Sequence, residues 1–232
     1  MDESRRRLPH QYPRDTWLFV TWHLHGSIPQ TRCPRPGKLS SGKAFVWMDR
    51  YLDTARTGPM HLRQEPIARL VQDSLYRGIE LGHYELGAYA ILGNHVHVLL
   101  LPKAPPSRLL QSLKGATARE ANRLLGRTGE PFWQRESYDH WVRNENGRGR
   151  IERYIENNPV AAGLVRRPED YLWSSASRRQ PGIPTSRDAA RTSAHATNQL
   201  HPDLRGDDKL AERGLHPEDQ PQDVSGHRSG PP

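Results

Sequence analysis

All 17 aromatic residues lie before residue 177, and from Arg178 to Pro232 there is no Phe, Trp or Tyr. This boundary limits what the chain can fold into, because a core needs large apolar side chains to offset the entropy of ordering the backbone. Beyond it Pro, Gly, Ser, Asp and His recur without period, a composition that stays disordered. The chain therefore reads as one folded domain over 1–176 and a disordered polar tail over 177–232. Charge divides in the same way. The tail holds 8 Lys and Arg and 8 Asp and Glu, leaving 26 basic against 18 acidic residues, the whole net charge of +8, on the domain.

A domain with that excess favours a polyanion, and nucleic acid is the commonest one. Cys33 is the only cysteine, so no disulfide forms within the chain and a reducing cytoplasm is the expected compartment. No apolar run approaches the roughly 18 residues of a membrane span. Arg5-Arg6-Arg7 is followed by Leu8-Pro9-His10, not by the apolar stretch of a secretory signal.

Thr16–His25 is aromatic and β-branched and is bounded by Pro13 and by Gly26-Ser27-Ile28-Pro29, which predicts a first strand. Residues 30–41 read as loop, and Gly42–Thr54 as a short helix. Pro66 opens a longer helix with the stripe Ile67, Leu70, Val71, Leu75 and Ile79, stopped at Gly82. Tyr84–Leu92 and His95–Leu101 are strands joined tightly at Gly93-Asn94. Ser107 is the expected cap of a further helix that Gly126 ends, Ser137–Arg143 a fourth strand, and Gly149–Asn158 a short helix closed by Pro159. Strand, helix, strand, strand, helix, strand is the order of an α+β, ferredoxin-like split-βαβ sheet with helices on one face. Val96, Val98 and Leu100 then point into the core, and His95 and His97 share the open face.

As a bare motif, His-x-His carries little. Twelve histidines in 232 positions give about 0.6 such pairs by chance, and the chain has two, the other being His23-Leu24-His25. Only His95-Val96-His97 sits on a strand with neighbours on both sides. From spacing alone it reads either as a metal-binding pair or as two hydrogen-bonded histidines on a half-exposed strand. Tyr154 and Asn158, four apart, share one helix face. Tyr154 reads as a nucleophile or as cover for the core beside Ile151 and Ile155, and Asn158 as a ligand or as the usual helix-ending residue before proline.

Three segments resemble the signature blocks of the REP-associated tyrosine transposases, members of the single-tyrosine HUH superfamily of insertion-sequence type. They are Leu92-Gly93-Asn94-His95-Val96-His97-Val98-Leu99-Leu100, the run Phe132–Arg143 (FWQRESYDHWVR), and Arg153–Val165 (RYIENNPVAAGLV). The likeness extends from about Trp17 to Trp173. One departure is Gly93, where relatives often carry Pro. The resemblance implies a metal-dependent single-stranded DNA endonuclease and strand transferase, with His95, His97 and Asn158 holding Mg²⁺ or Mn²⁺ and Tyr154 forming a 5′-phosphotyrosine. Its partners would be single-stranded or hairpin DNA from palindromic repeats, with no membrane, no nucleotide cofactor, and a monomer or homodimer as the working unit. The rival expectation is a DNA-binding descendant that holds such repeats without cutting. A closed structural zinc site is disfavoured by the lack of thiolates.

The chemistry suits those groups. A tyrosine hydroxyl of pKa near 10 is only about 0.1% phenolate at pH 7, a deficit of roughly 4 kcal/mol. A divalent cation with open positions compensates by polarising the phosphate. Candidate DNA contacts are Thr21 and His23 on the face expected to be open, Lys114, Arg119 and Arg123 on the second long helix, and Arg143, Arg150 and Arg153 near Tyr154, with Trp133 and Trp141 as candidates for base stacking.

Overall fold

In the computed structural model residues 15–32 and 39–177 are described. The expected disordered tail from residue 178 on, and residues 33–38 of the expected loop, lie outside them. Four strands, β1 (Leu18–His23), β2 (Tyr84–Ile91), β3 (His95–Pro102) and β4 (Tyr138–Trp141), form one antiparallel sheet in the order β2-β3-β1-β4. This is the α+β, split-βαβ arrangement the element order predicts. The tight turn at Gly93-Asn94 joins β2 to β3. Where β2 bulges between Leu86 and Ala88, Gly87 has no Cβ to strike the Trp17 ring, which would lie 2.9 Å from it.

The helices are α1 (Ser41–Thr54), α2 (Glu65–Glu80), α3 (Pro106–Leu124) and α4 (Glu145–Ala161). One face of the sheet packs Val20 and Trp22 of β1 and Val96, Val98 and Leu100 of β3 against Ile67, Val71 and Leu75 of α2 and Leu109 and Ala121 of α3. The other face is not open. Phe19, Ala88, Ala90 and Leu99 pack there against Ile155 and Ile151 of α4 and Phe45 of α1. Helices thus cover both faces, correcting the one-sided arrangement. The cause lies in the strands, which alternate apolar with apolar, a pattern that calls for burial on both sides.

Two helix ends also differ from expectation. Ser107 does not cap α3, which starts at Pro106 with no side-chain cap. Proline at the first helical position already lacks the N–H that a cap would satisfy. Pro159 does not close α4, which begins four residues earlier than expected and runs on to Ala161. Asn144 caps its start, accepting from the Gly147 N–H at 2.7 Å. So near the helix end proline removes one backbone bond, and the chain continues with the Ala162 N–H donating to the Asn158 carbonyl at 2.8 Å.

Past α4 the chain returns along the edge of β2. Ile91 N–H donates to the Trp173 carbonyl at 2.9 Å, Ala90 bridges Ser174, and the Tyr171 hydroxyl donates to the Ile91 carbonyl at 2.8 Å.

Candidate active site

His95 and His97 alternate with the core residues of β3, so both face the second layer, where α1 and α4 enclose them completely. Each imidazole is held from behind through Nδ1. That of His95 lies 2.7 Å from Asn94 Oδ1, and Asn94 Nδ2 donates to the Leu52 carbonyl at 3.0 Å. With its amide oriented in this way Asn94 must accept from His95 Nδ1–H, which leaves the Nε2 lone pair aimed into the site. Nδ1 of His97 lies 2.7 Å from the Thr21 hydroxyl, and the register pairs Thr21 with His97 directly across β1 and β3. The two Nε2 atoms then meet 3.1 Å apart.

Helix α1 brings two carboxylates onto these nitrogens. Asp49 and Asp53 are four residues apart and point inward with Phe45 and Leu52. Asp49 Oδ1 lies 3.1 Å from His97 Nε2 and 3.9 Å from His95 Nε2, and Asp53 Oδ1 lies 3.5 Å from His95 Nε2. Tyr154, on α4, donates its hydroxyl to Asp49 Oδ2. Asn158, one turn later, hydrogen-bonds Asp53 and Tyr154. Tyr154 as a residue is just over a third exposed, while its hydroxyl is turned inward onto Asp49, so it stands at the mouth of the site.

Burial sets the charges. It holds His95 well below its ordinary pKa, assisted by His97 alongside, so this imidazole is neutral and ready to ligate. Burial alone would raise the Asp49 carboxyl, but His97, His95 and the Tyr154 hydroxyl outweigh it and keep Asp49 below the usual range. Asp53 has weaker support, from His97 and its hydrogen bond with Asn158. Burial, and then the charge of Asp49, push it up to about 7. Tyr154 is raised by burial and by Asp49 and Asp53, so without a cation its phenol stays protonated.

The residues expected at this site divide clearly. His95, His97, Tyr154 and Asn158 converge. Thr21 and His23 are buried, Thr21 behind His97 and His23 bonded to the Leu24 carbonyl, so neither lies on a surface that DNA can touch. Lys114 ties α3 to the loop before β4 through the Gln134 and Arg135 carbonyls and Ser137. Trp133 packs edge-to-face on Trp22 and donates to Thr117, and Trp141 packs against the same core. Arg123 pairs with Glu120. Arg119, Arg143 and Arg153 are exposed and Arg150 half-buried, with Arg150 and Arg153 lining a groove of about 400 Å³ on α4. Gly93 allows the close approach of Arg63, whose Nε would lie 2.9 Å from a Cβ there.

Asp49 and Asp53 escaped the reading of the sequence. Their signal was present, since an acid at an inward position of an amphipathic helix, repeated one turn later, needs a partner.

The sequence family described as "Transposase IS200 like" matches residues 43–158, half of the chain, and so includes Asp49, both histidines, Tyr154 and Asn158. The chain belongs to the IS200-like transposase family. Among solved structures, that of a REP-associated tyrosine transposase bound to a REP hairpin is 20% identical, with 93% of this chain and 100% of that one covered and a TM-score of 0.48. A crystal structure from Deinococcus radiodurans R1 assigned as a transposase is 18% identical, covering 66% and 97%, with a TM-score of 0.35. Both likenesses are too distant to add to what the family match shows. No curated protein matches significantly.

A metal ion fits the residues present. Asp49, His95 and His97 offer ligand atoms within 4.8 Å of one another, all buried. Asp49 Oδ1, Asp53 Oδ1 and Asn158 Oδ1 are buried without a hydrogen-bond partner, and two imidazole nitrogens 3.1 Å apart need a proton or a cation between them. The mixed nitrogen and oxygen donors fit a divalent cation. Among the described residues no helix is long and apolar enough to cross a membrane.

Proposed function

We propose that the chain is a metal-dependent endonuclease and strand transferase that cuts single-stranded DNA at hairpin-forming palindromic repeats of the REP type and rejoins it through Tyr154. One observation carries the reading. The Tyr154 hydroxyl and the two imidazoles share a single carboxylate, Asp49, so the nucleophile is held against the group of residues able to bind a cation. His95, His97 and Asp49 would hold that cation, with Asn158 as a further oxygen donor from the helix of the tyrosine. When bound, it polarises the scissile phosphate and stabilises the charge that develops there.

The chain's own residues do the rest. Asn94 fixes the tautomer of His95, Thr21 holds the His97 ring through Nδ1, and Asp49 and Asn158 orient the Tyr154 oxygen. As that oxygen gives its proton to Asp49 and bonds to phosphorus, the bond from phosphorus to the 3′ oxygen breaks, and a proton passes to the departing 3′ oxygen to make a 3′-hydroxyl, so the proton lost by the phenol is matched by the one the strand end gains. The product is a 5′-phosphotyrosine. Attack by a 3′-hydroxyl on that link reverses the step and frees Tyr154, so rejoining needs no nucleotide triphosphate. Arg150 and Arg153, on the helix of Tyr154, line the groove through which the phosphate backbone approaches, with the exposed Arg119 and Arg143 as further contacts. The enzyme works in the cytoplasm as a monomer or homodimer.

The test is incubation with a labelled hairpin oligonucleotide and Mn²⁺ or Mg²⁺, followed by denaturing electrophoresis. Wild type should give a denaturant-resistant protein–DNA adduct and Tyr154→Phe none. An adduct from Tyr154→Phe would refute the assignment of the nucleophile. Retardation in native gels without any adduct from wild type would leave a DNA-binding descendant that no longer cuts.

A further inference from the structure

A guanidinium stands beside the candidate centre with nothing among the described residues to neutralise it. Arg63 ends the short 3₁₀ turn His61–Arg63, which the Leu62 N–H fastens to the turn before β3 by donating to the Gly93 carbonyl at 3.2 Å. The stem of Arg63 lies along that turn. A Cβ at Gly93 would be 3.1 Å from Arg63 Cγ and 2.9 Å from its Nε, so glycine keeps the lane clear. The residue is exposed, and its guanidinium makes no hydrogen bond or ion pair among the described residues. Its charge reaches the Tyr171 phenol, but burial raises that group to about 12 and keeps it neutral.

Arg63 lines a small recess together with His95, Asn94, Asp53 and Met60. Tyr154 stands on the other flank of the histidines. Its ring lies 5.8 Å from that of His97, its hydroxyl is on Asp49, and none of these three lines the recess. Tyr154, His97, His95 and Arg63 thus follow one another across the centre. Displacement at phosphorus is in line, so the attacking and leaving oxygens occupy opposite sides of the phosphorus atom. A phosphate attacked by Tyr154 therefore turns its 3′ oxygen toward His95 and the recess, and the strand that departs leads past Arg63.

We propose that Arg63 binds the phosphate backbone of the departing strand, the one ending in the 3′-hydroxyl, and so keeps that hydroxyl in place to attack the 5′-phosphotyrosine. The inference rests on the strand-transfer reading above and deepens it. A guanidinium presents two parallel N–H donors to a phosphate, and Gly93 holds this one ready. Arg63 makes and breaks no bond itself. In rejoining, the 3′ oxygen bonds to phosphorus, the bond from phosphorus to the Tyr154 oxygen breaks, and the proton of the 3′-hydroxyl is balanced by the one Tyr154 regains. The two ends of a cut strand then have separate basic holds, Arg150 and Arg153 on the helix of the tyrosine and Arg63 across the histidines from it.

The experiment uses the full chain as wild type, Arg63→Ala, Arg63→Lys and Gly93→Ala. Binding of a short fluorescent single-stranded oligonucleotide is followed in EDTA over a range of salt, and a labelled hairpin oligonucleotide with Mn²⁺ is resolved by denaturing electrophoresis into adduct and resealed strand. Arg63→Ala should bind the single strand about three- to tenfold more weakly, with the salt slope reduced by about one. Arg63→Lys should keep the slope and part of the affinity, since it keeps the charge and loses the fork. The ratio of adduct to resealed strand should rise in Arg63→Ala, and also in Gly93→Ala, whose methyl group pushes Arg63 aside. Melting temperatures of both Arg63 variants should match that of wild type, because the side chain is exposed. Unchanged affinity and salt slope in Arg63→Ala overturn the proposal, and so does a weaker affinity with an unchanged ratio of adduct to resealed strand, which would make Arg63 a general phosphate contact. In either case a wild-type adduct leaves the strand-transfer reading standing. If wild type forms no adduct, that reading falls and the role of Arg63 in rejoining falls with it.

Discussion

Thr21 offers the sharpest separation between a group that touches DNA and one that acts from behind a metal ligand. Its hydroxyl is wholly buried, 2.7 Å from His97 Nδ1. Thr21→Val keeps the shape and removes only that partner, so no cavity forms and the backbone pairing of β1 with β3 is untouched. Leaving the buried Nδ1 unpaired costs about 1–3 kcal/mol of stability. Loss of the second hydrogen bond that orients a ligating imidazole typically weakens metal affinity about 10–100-fold, which is about 1.4–2.7 kcal/mol. Calorimetric titration with Mn²⁺ should show that drop, while retardation of a hairpin oligonucleotide in EDTA stays as in wild type. The reasoning is refuted if Mn²⁺ affinity is unchanged, or if DNA binding without metal falls instead.

Three further outcomes follow from the same geometry. Asn94→Ala removes both the acceptor for His95 Nδ1–H and the donor to the Leu52 carbonyl, and urea unfolding should show a loss of about 2–4 kcal/mol; a change below 1 kcal/mol would mean that the turn does not tie α1 to the sheet. Gly78→Ala places a Cβ on the Tyr84 ring, whose hydroxyl donates to the Leu75 carbonyl, so overpacking of about 1–3 kcal/mol should exceed the gain of about 1 kcal/mol in helix propensity and lower the melting temperature. Because His95 has a folded pKa well below its unfolded one, it contributes stability above pH 6.5 that is lost as pH falls, by at most about 1.4 kcal/mol per unit, while Asp53, raised to about 7, opposes that slope over the same range; chemical unfolding in EDTA at pH 7.5 and 5.5 should show a steeper loss on acidification in Asp53→Asn than in wild type.

Much of the fold was legible because strands and helices with one apolar stripe announce their period. Val96, Val98 and Leu100 point into the main core as alternation requires, with the histidines opposite. What misled was treating the histidine side as open. Phe19, Leu99 and Leu101 share that side, and three large apolar residues on an exposed face should have signalled a second layer. Thr21 and His23 were misplaced for the same reason, since a face assumed to be wet makes any polar side chain on it look like a contact. The tyrosine helix is readable from spacing, whereas Asp49 and Asp53 are harder to place, because acids in a 14-residue helix look solvated until the sheet opposite is known. Pro159 was over-read as a stop, although it costs one hydrogen bond in the last turn of α4.

The return of the chain over residues 171–175 has a consequence for how this protein must be shortened. β2 is an outer strand, and its Tyr89–Ile91 end is occupied by Trp173, Ser174 and Ser175. A version ending soon after α4 would keep every residue of the candidate centre and yet bare that strand as a template for a second copy. Aggregation of such a fragment would then speak of an uncovered border and carry no information about the chemistry inside.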